Sequence, residues 1–250
     1  MTSLSKDSTL DIAPIAVIAA CLSMVAHEAV GHGVACVASG GRVTLLSSVY
    51  FQCAPPQYFI DGAGPGFNLL WALIAGAIAM STHGRLRFLF ALTALISVCW
   101  EAGYLLSSAA LNDGDSIFFV RGFVPYATPL IRGVMFALGI ALYWIGLKAG
   151  RSLMKPFASE PGRLRRTMRI AWLSAVIAGV AAALLYAPDR GGAVGQAALE
   201  TGASGLPLLL LHRGLAGGDE PPLQRSNLWL GAAAAIYAAF ALTMGRGMSF

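Results

Sequence analysis

Residues 12–43 read IAPIAVIAACLSMVAHEAVGHGVACVASGGRV. As far as residue 38 this run is apolar enough to cross a bilayer, whose hydrocarbon core takes about 20 residues of helix. His27, Glu28 and His32 stand midway along it. A charged side chain at the centre of a span costs roughly 2.5–3.5 kcal/mol on insertion scales, so a functional site is the first reading of such a trio. The plainer one is a hydrogen-bonded cluster joining helices. The order of residue types favours a metal. Two imidazoles serve as neutral ligands, and a carboxylate beside the first serves as general base.

Further apolar runs lie at roughly 64–82, 87–110, 127–148, 168–187 and 226–245, which predicts an all-α polytopic membrane protein with about six transmembrane helices. A seventh run at 193–212 carries Gln196, Glu200 and Pro207 and reads either as a further crossing or as a re-entrant segment. Composition agrees: of 250 residues 57% are hydrophobic and 12% charged, and the mean hydropathy is +0.69. Alternating and β-branched residues around Val43–Tyr50, followed by Pro55 and Pro56, predict a small β-hairpin after the first helix. The first span reads as retained, because Asp7 and Asp11 spoil a signal-peptide start. Residues 1–126 form the expected metal-bearing core, and 127–250 the accessory helices.

The net charge of +5 is concentrated in Lys148, Arg151, Lys155, Arg163, Arg165, Arg166 and Arg169, broken by Glu160. Such a cluster marks a cytoplasmic loop against anionic lipid, with nucleic acid a poor fit as partner. With Arg85 and Arg87 on the same side, six alternating spans put both termini in the cytoplasm, in agreement with Lys6 and Arg246. The four cysteines, three of them (Cys21, Cys36, Cys99) in apolar runs and Cys53 in a loop, read as small buried hydrophobes and not as a disulfide framework.

The ligand spacing is unusual. His27 and His32 are five apart, which separates them by about 140° on a regular α-helix. A π-bulge beside Gly31 would return them to one face; otherwise Glu28 and His32, four apart, form the ligand pair and His27 supports them. A tetrahedral site needs a third ligand and an open position. Asp113 or Asp115, in the turn Asn112–Asp115 after the third span, is its natural source, although Asn, Asp and Gly also simply close helices. Glu101, inside the third span, either lines the cavity or binds a metal-bound imidazole. Asn68, in DGAGPGFNLLWAL, holds a substrate backbone or an oxyanion, or else bonds a neighbouring helix. His83 and His212 stand alone near loops and read as interfacial. Four histidines are too few for the His boxes of a membrane di-iron oxygenase.

With these pieces in order, the chain resembles the site-2 protease family of intramembrane zinc metallopeptidases, in particular its M50B-like branch. The resemblance rests on GHGVACVASGGRV after the His/Glu pair, on AGPGFNLL at Ala63–Leu70, and on Asp113-Gly114-Asp115. It covers roughly residues 12–150. It implies zinc on His27, His32 and one of Asp113 and Asp115, with Glu28 as the base and Asn68 positioning the substrate. The substrate implied is a transmembrane protein segment, unwound locally in the lipid bilayer of a bacterial inner membrane. HEAVGH has one residue more than the family's motif, and NDGD lacks its proline-containing run. The family also holds zinc toward the cytosol with the His helix entering from outside, the reverse of what the charge distribution implies. The rival readings are a cation transporter using Glu101, Asp113 and Asp115, and an inactive peptidase-like scaffold.

Overall fold

A computed structural model describes residues 7–124, 126–159 and 162–250; Lys6 and Glu160, used above to place charge, lie outside them. Among the described residues six helices are long and apolar enough to cross a membrane: Thr9–Ala38, Tyr58–Ser81, Gly84–Leu111, Pro129–Phe157, Arg163–Ala183 and Asn227–Gly245. The first comprises α1 (Thr9–Met24), a π-helical stretch (Val25–Gly33) and α2 (Val34–Ala38). After the hairpin of β1 (Arg42–Leu46) and β2 (Phe51–Ala54) come α3 (Tyr58–Ser81), α4 (Gly84–Leu111), the short α5 (Asp115–Arg121), α6 (Pro129–Met154) and α7 (Arg163–Ala183). Helix α3 starts at Tyr58, so Gly62–Gly66 lies inside it with Pro65 built in. Despite three glycines and a proline, this stretch is regular helix.

Helix α4 is the central post, with Trp100, Phe88 and Leu92 almost wholly buried. Helix α6 lies flat against it through small residues. An added Cβ at Gly139 would come within 2.9 Å of the Ala102 carbonyl, and Val98 and Leu95 close over Gly146 and Gly150. Small residues that admit a neighbouring helix are the usual packing device in lipid, where apolar burial supplies little drive. The outward Leu73, Leu138 and Trp144, each more than half exposed, then face acyl chains.

Beyond α7 the chain is broken into α8 (Arg190–Ala197), a π-helical turn (Ala198–Ala203) and a 3-10 turn (Leu206–Leu210). Its start lies on the hairpin's face, where Tyr50 Oη donates to Asp189 at 3.4 Å. Its continuation reaches the opposite face, where Glu220 accepts from the Gly84 amide at 3.0 Å and the Leu223 amide donates to Asp7 at 2.8 Å. The 193–212 run is therefore a crossing in broken form. Irregular backbone is tolerated at membrane depth only where protein satisfies its polar groups. Here Trp172 Nε1 donates to the Gly202 carbonyl at 3.0 Å and Tyr143 Oη to that of Ser204 at 2.8 Å.

The last span, α9 (Asn227–Phe240) with a π-helical end (Ala241–Gly245), leads to β3 (Met248–Ser249). This strand pairs with β1, giving the sheet order β2-β1-β3. The C-terminus thus lies on the hairpin's face, opposite the start of α1, which corrects the expectation that both termini share a side. The extra crossing is the reason.

A second correction concerns the cysteines: Cys36 and Cys53 form a disulfide. Gly40, at φ +78°, turns the chain so that β2 folds back over the end of α2. Gly41 sits against the bridge, where a Cβ would come within 2.6 Å of Cys53 Sγ. Only Cys21 and Cys99 remain free and buried, as small apolar groups.

Candidate metal centre

The nine residues Val25–Gly33 are π-helical, more than the single bulge the spacing requires. Widening the turn by a residue brings His27 and His32 onto one face, with ring centroids 4.9 Å apart. Close approach of α3 supports the widened turn. A Cβ on Gly31 would lie 2.6 Å from Gly64 Cα, and one on Gly64 would overlap the His32 imidazole itself. Gly64 of AGPG therefore makes room for the His32 ring.

Each imidazole is held on two sides. His27 stacks on Trp100, with centroids 4.8 Å apart and planes 9° apart, and its Nδ1 donates to Glu101 Oε1 at 2.9 Å. His32 stacks on Phe51 of β2, and its Nδ1 donates to the Ile60 carbonyl at 2.7 Å. Carbonyl and carboxylate oxygens only accept, so both rings carry their proton on Nδ1 and present the lone pair of Nε2. Both Nε2 atoms lie 3.1 Å from the same oxygen, Asp115 Oδ2.

In the neutral tautomer two lone pairs and a carboxylate oxygen converge on one point, an arrangement that a cation, or protons on the two Nε2 atoms, would stabilise. Ligand atoms from His27, His32 and Asp115 all fall within 4.8 Å of one another. The two 3.1 Å contacts to Asp115 are close to the roughly 3.4 Å between ligand atoms around a tetrahedral zinc with bonds of about 2.0–2.1 Å. The residues present therefore fit a zinc-sized cation.

Asp115 reaches this point because Asn112, in the left-handed region at φ 59°, ends α4, and Gly114 at φ +91° redirects the chain into α5. The Asp115 amide then donates to Tyr104 Oη at 3.3 Å. Asp113 does not meet the imidazoles and stands on the rim of the cavity. The cavity holds about 200 Å³ and is walled by Glu28, His32, Tyr104 and Asp115 on one side and by Tyr50, Phe51 and Glu200 on others. Glu28 is 3% exposed, and among the described residues its carboxylate has no hydrogen-bonding side chain.

Asn68 is fully buried behind Glu101, to which its Nδ2 donates at 2.7 Å, so it lies off the cavity wall. The order Asn68, Glu101, His27 is an outer shell that fixes the ring and raises its basicity. Glu200, on the broken crossing, has no assigned role in the sequence reading. It is buried on the cavity wall and accepts from Gln196 Nε2 at 2.7 Å. A carboxylate inside an otherwise apolar run was the signal available for it. The half of the chain beyond residue 127 thus helps to build the site.

Fold and site together define a multi-pass membrane protein with a buried His-His-Asp cluster open to a small polar cavity. Comparison with protein-family models, curated proteins and solved structures found no match.

Proposed function

We propose that this chain is an intramembrane zinc metallopeptidase acting on transmembrane protein substrates in a bacterial inner membrane, similar to the site-2 protease family. The observation that carries the reading is the convergence of His27, His32 and Asp115 beside a carboxylate, Glu28, that no side chain among the described residues hydrogen-bonds. His27 and His32 through Nε2, and Asp115 through Oδ2, would hold the metal. Zinc bound there would supply a Lewis acid that polarises a peptide carbonyl and acidifies water at neutral pH.

The chain's own groups account for the rest. Glu28 accepts the proton of the attacking water and returns it to the leaving amine. Asn68 and Glu101 keep His27 in its ligand tautomer. Strand β2 pairs with β1 on one side only, and its Phe51 touches His32. An unwound substrate segment added to its other edge would bring its backbone past the site with main-chain hydrogen bonds. The cation-transport reading gains less, because Glu101 is engaged by His27 and Asn68 instead of lying along a path with Asp113.

The test is elemental analysis of the detergent-purified chain together with hydrolysis of a transmembrane peptide. Wild type and Glu28→Gln are expected to carry about one zinc per chain and His27→Ala and His32→Ala to lose it, with hydrolysis seen in wild type only. Wild type without zinc would overturn the proposal.

A further inference from the structure

Nothing in the metal cluster itself says which side of the membrane it serves, but two independent features of the fold do. The first is charge. Arg85 and Arg87, the basic run from Lys148 to Arg169, Arg213 and Arg225 all lie on the face where α1 begins. That face is tied together by Arg163 and Arg85, which bind the carboxylates of Asp7 and Asp11 at 2.9 and 2.8 Å. The hairpin's face has the more scattered Arg42, Arg121, Arg132, Arg190 and Arg246, set among Asp61, Asp113, Asp115 and Asp189. An excess of Lys and Arg marks the cytoplasmic side.

The second feature is the Cys36–Cys53 bridge, which joins the end of α2 to β2 on the hairpin's face. Disulfides persist on the oxidising, non-cytoplasmic side of a membrane and are rare in the reducing cytosol. Each feature alone orients the chain, and they agree. The cavity opens between elements of this same face: Tyr50 and Phe51 of the hairpin, Asp113 and Gly114 ahead of α5, and Gln196 near the end of α8. Cys53 lies two residues from Phe51, so the bridge also anchors the strand that stacks on His32.

We infer that the metal cavity opens to the extracytoplasmic, oxidising side of the membrane, and that its substrates are membrane proteins cut near the outer end of a transmembrane segment, with a fragment released outward. The substrate half rests on the peptidase reading; the sidedness does not.

The experiment treats intact cells expressing the full chain with a membrane-impermeant maleimide, after Tyr126→Cys or Arg165→Cys. Tyr126 is exposed in the loop between α5 and α6 on the hairpin's face, and Arg165 is exposed near the start of α7 on the other. Labelling of Tyr126→Cys in intact cells, with Arg165→Cys labelled only after permeabilisation, is expected. The opposite pattern overturns the inference, as do free Cys36 and Cys53 thiols in protein trapped with alkylating agent at lysis. A paired assay uses two reporters whose cleavable stretch lies at the outer or the inner end of the span. Outer cleavage alone is expected, and inner cleavage alone overturns the substrate half while leaving a peptidase. If neither reporter is cut, the peptidase reading and the substrate half fail together, and labelling still decides the sidedness.

Discussion

At the scale of single residues, the site depends on groups outside the His27, His32 and Asp115 cluster. Gly64 has no side chain because the His32 ring occupies its place. Gly64→Ala is therefore expected to displace His32 and to cut zinc content per chain several-fold, with helicity by circular dichroism unchanged. Glu101 accepts from both His27 and Asn68. Glu101→Gln should weaken zinc binding by about 10- to 100-fold, the usual effect of losing an outer-shell carboxylate, read by competition with a chelator. Zinc binding unchanged in that variant would mean that the His27 ring needs no such partner.

At the scale of elements, two departures from regular helix do the positioning. The π-helical stretch was legible from the five-residue spacing of His27 and His32, because an extra residue in the turn is what brings both imidazoles to one face. The broken crossing from Arg190 to Leu210 was legible only as an apolar run with misplaced polar residues. Its carbonyls find partners on α6 and α7, 61 and 30 residues away along the chain, and no local pattern encodes that. Tyr143→Phe removes the donor to the Ser204 carbonyl. A buried carbonyl left unpaired costs about 1–3 kcal/mol, so the melting temperature in detergent should fall while zinc content holds.

At the scale of the whole molecule, a buried pair helps to close the face where α1 begins. Arg163 binds both oxygens of Asp7 at 2.9 Å and also the carbonyls of Glu220 and Pro221. This joins the start of α1, the start of α7 and the 211–226 segment. Arg163→Ala would leave the buried Asp7 carboxylate without its cation, a loss of roughly 3–5 kcal/mol when one member of such a pair is removed. Thermal unfolding should report it, and Arg163→Lys should recover only part, since an ammonium cannot reproduce the two-pronged contact.

The sequence alone determined that this is a multi-pass helical membrane protein, because about 20 consecutive apolar residues have few other uses and a bilayer leaves the backbone few other forms. It also singled out His27, Glu28, His32, Glu101 and the 113–115 turn, because ionisable groups stand out in an apolar chain. The tertiary structure decided what depends on contacts between distant segments. It brought Asp115 to the imidazoles, set Asp113 at the rim and placed Asn68 behind Glu101. It added Glu200 from the far half of the chain, joined Cys36 to Cys53, and sent the C-terminus to the hairpin's face. Composition and spacing act along the chain, whereas these outcomes turn on how helices stack and where a turn aims the residue that follows it.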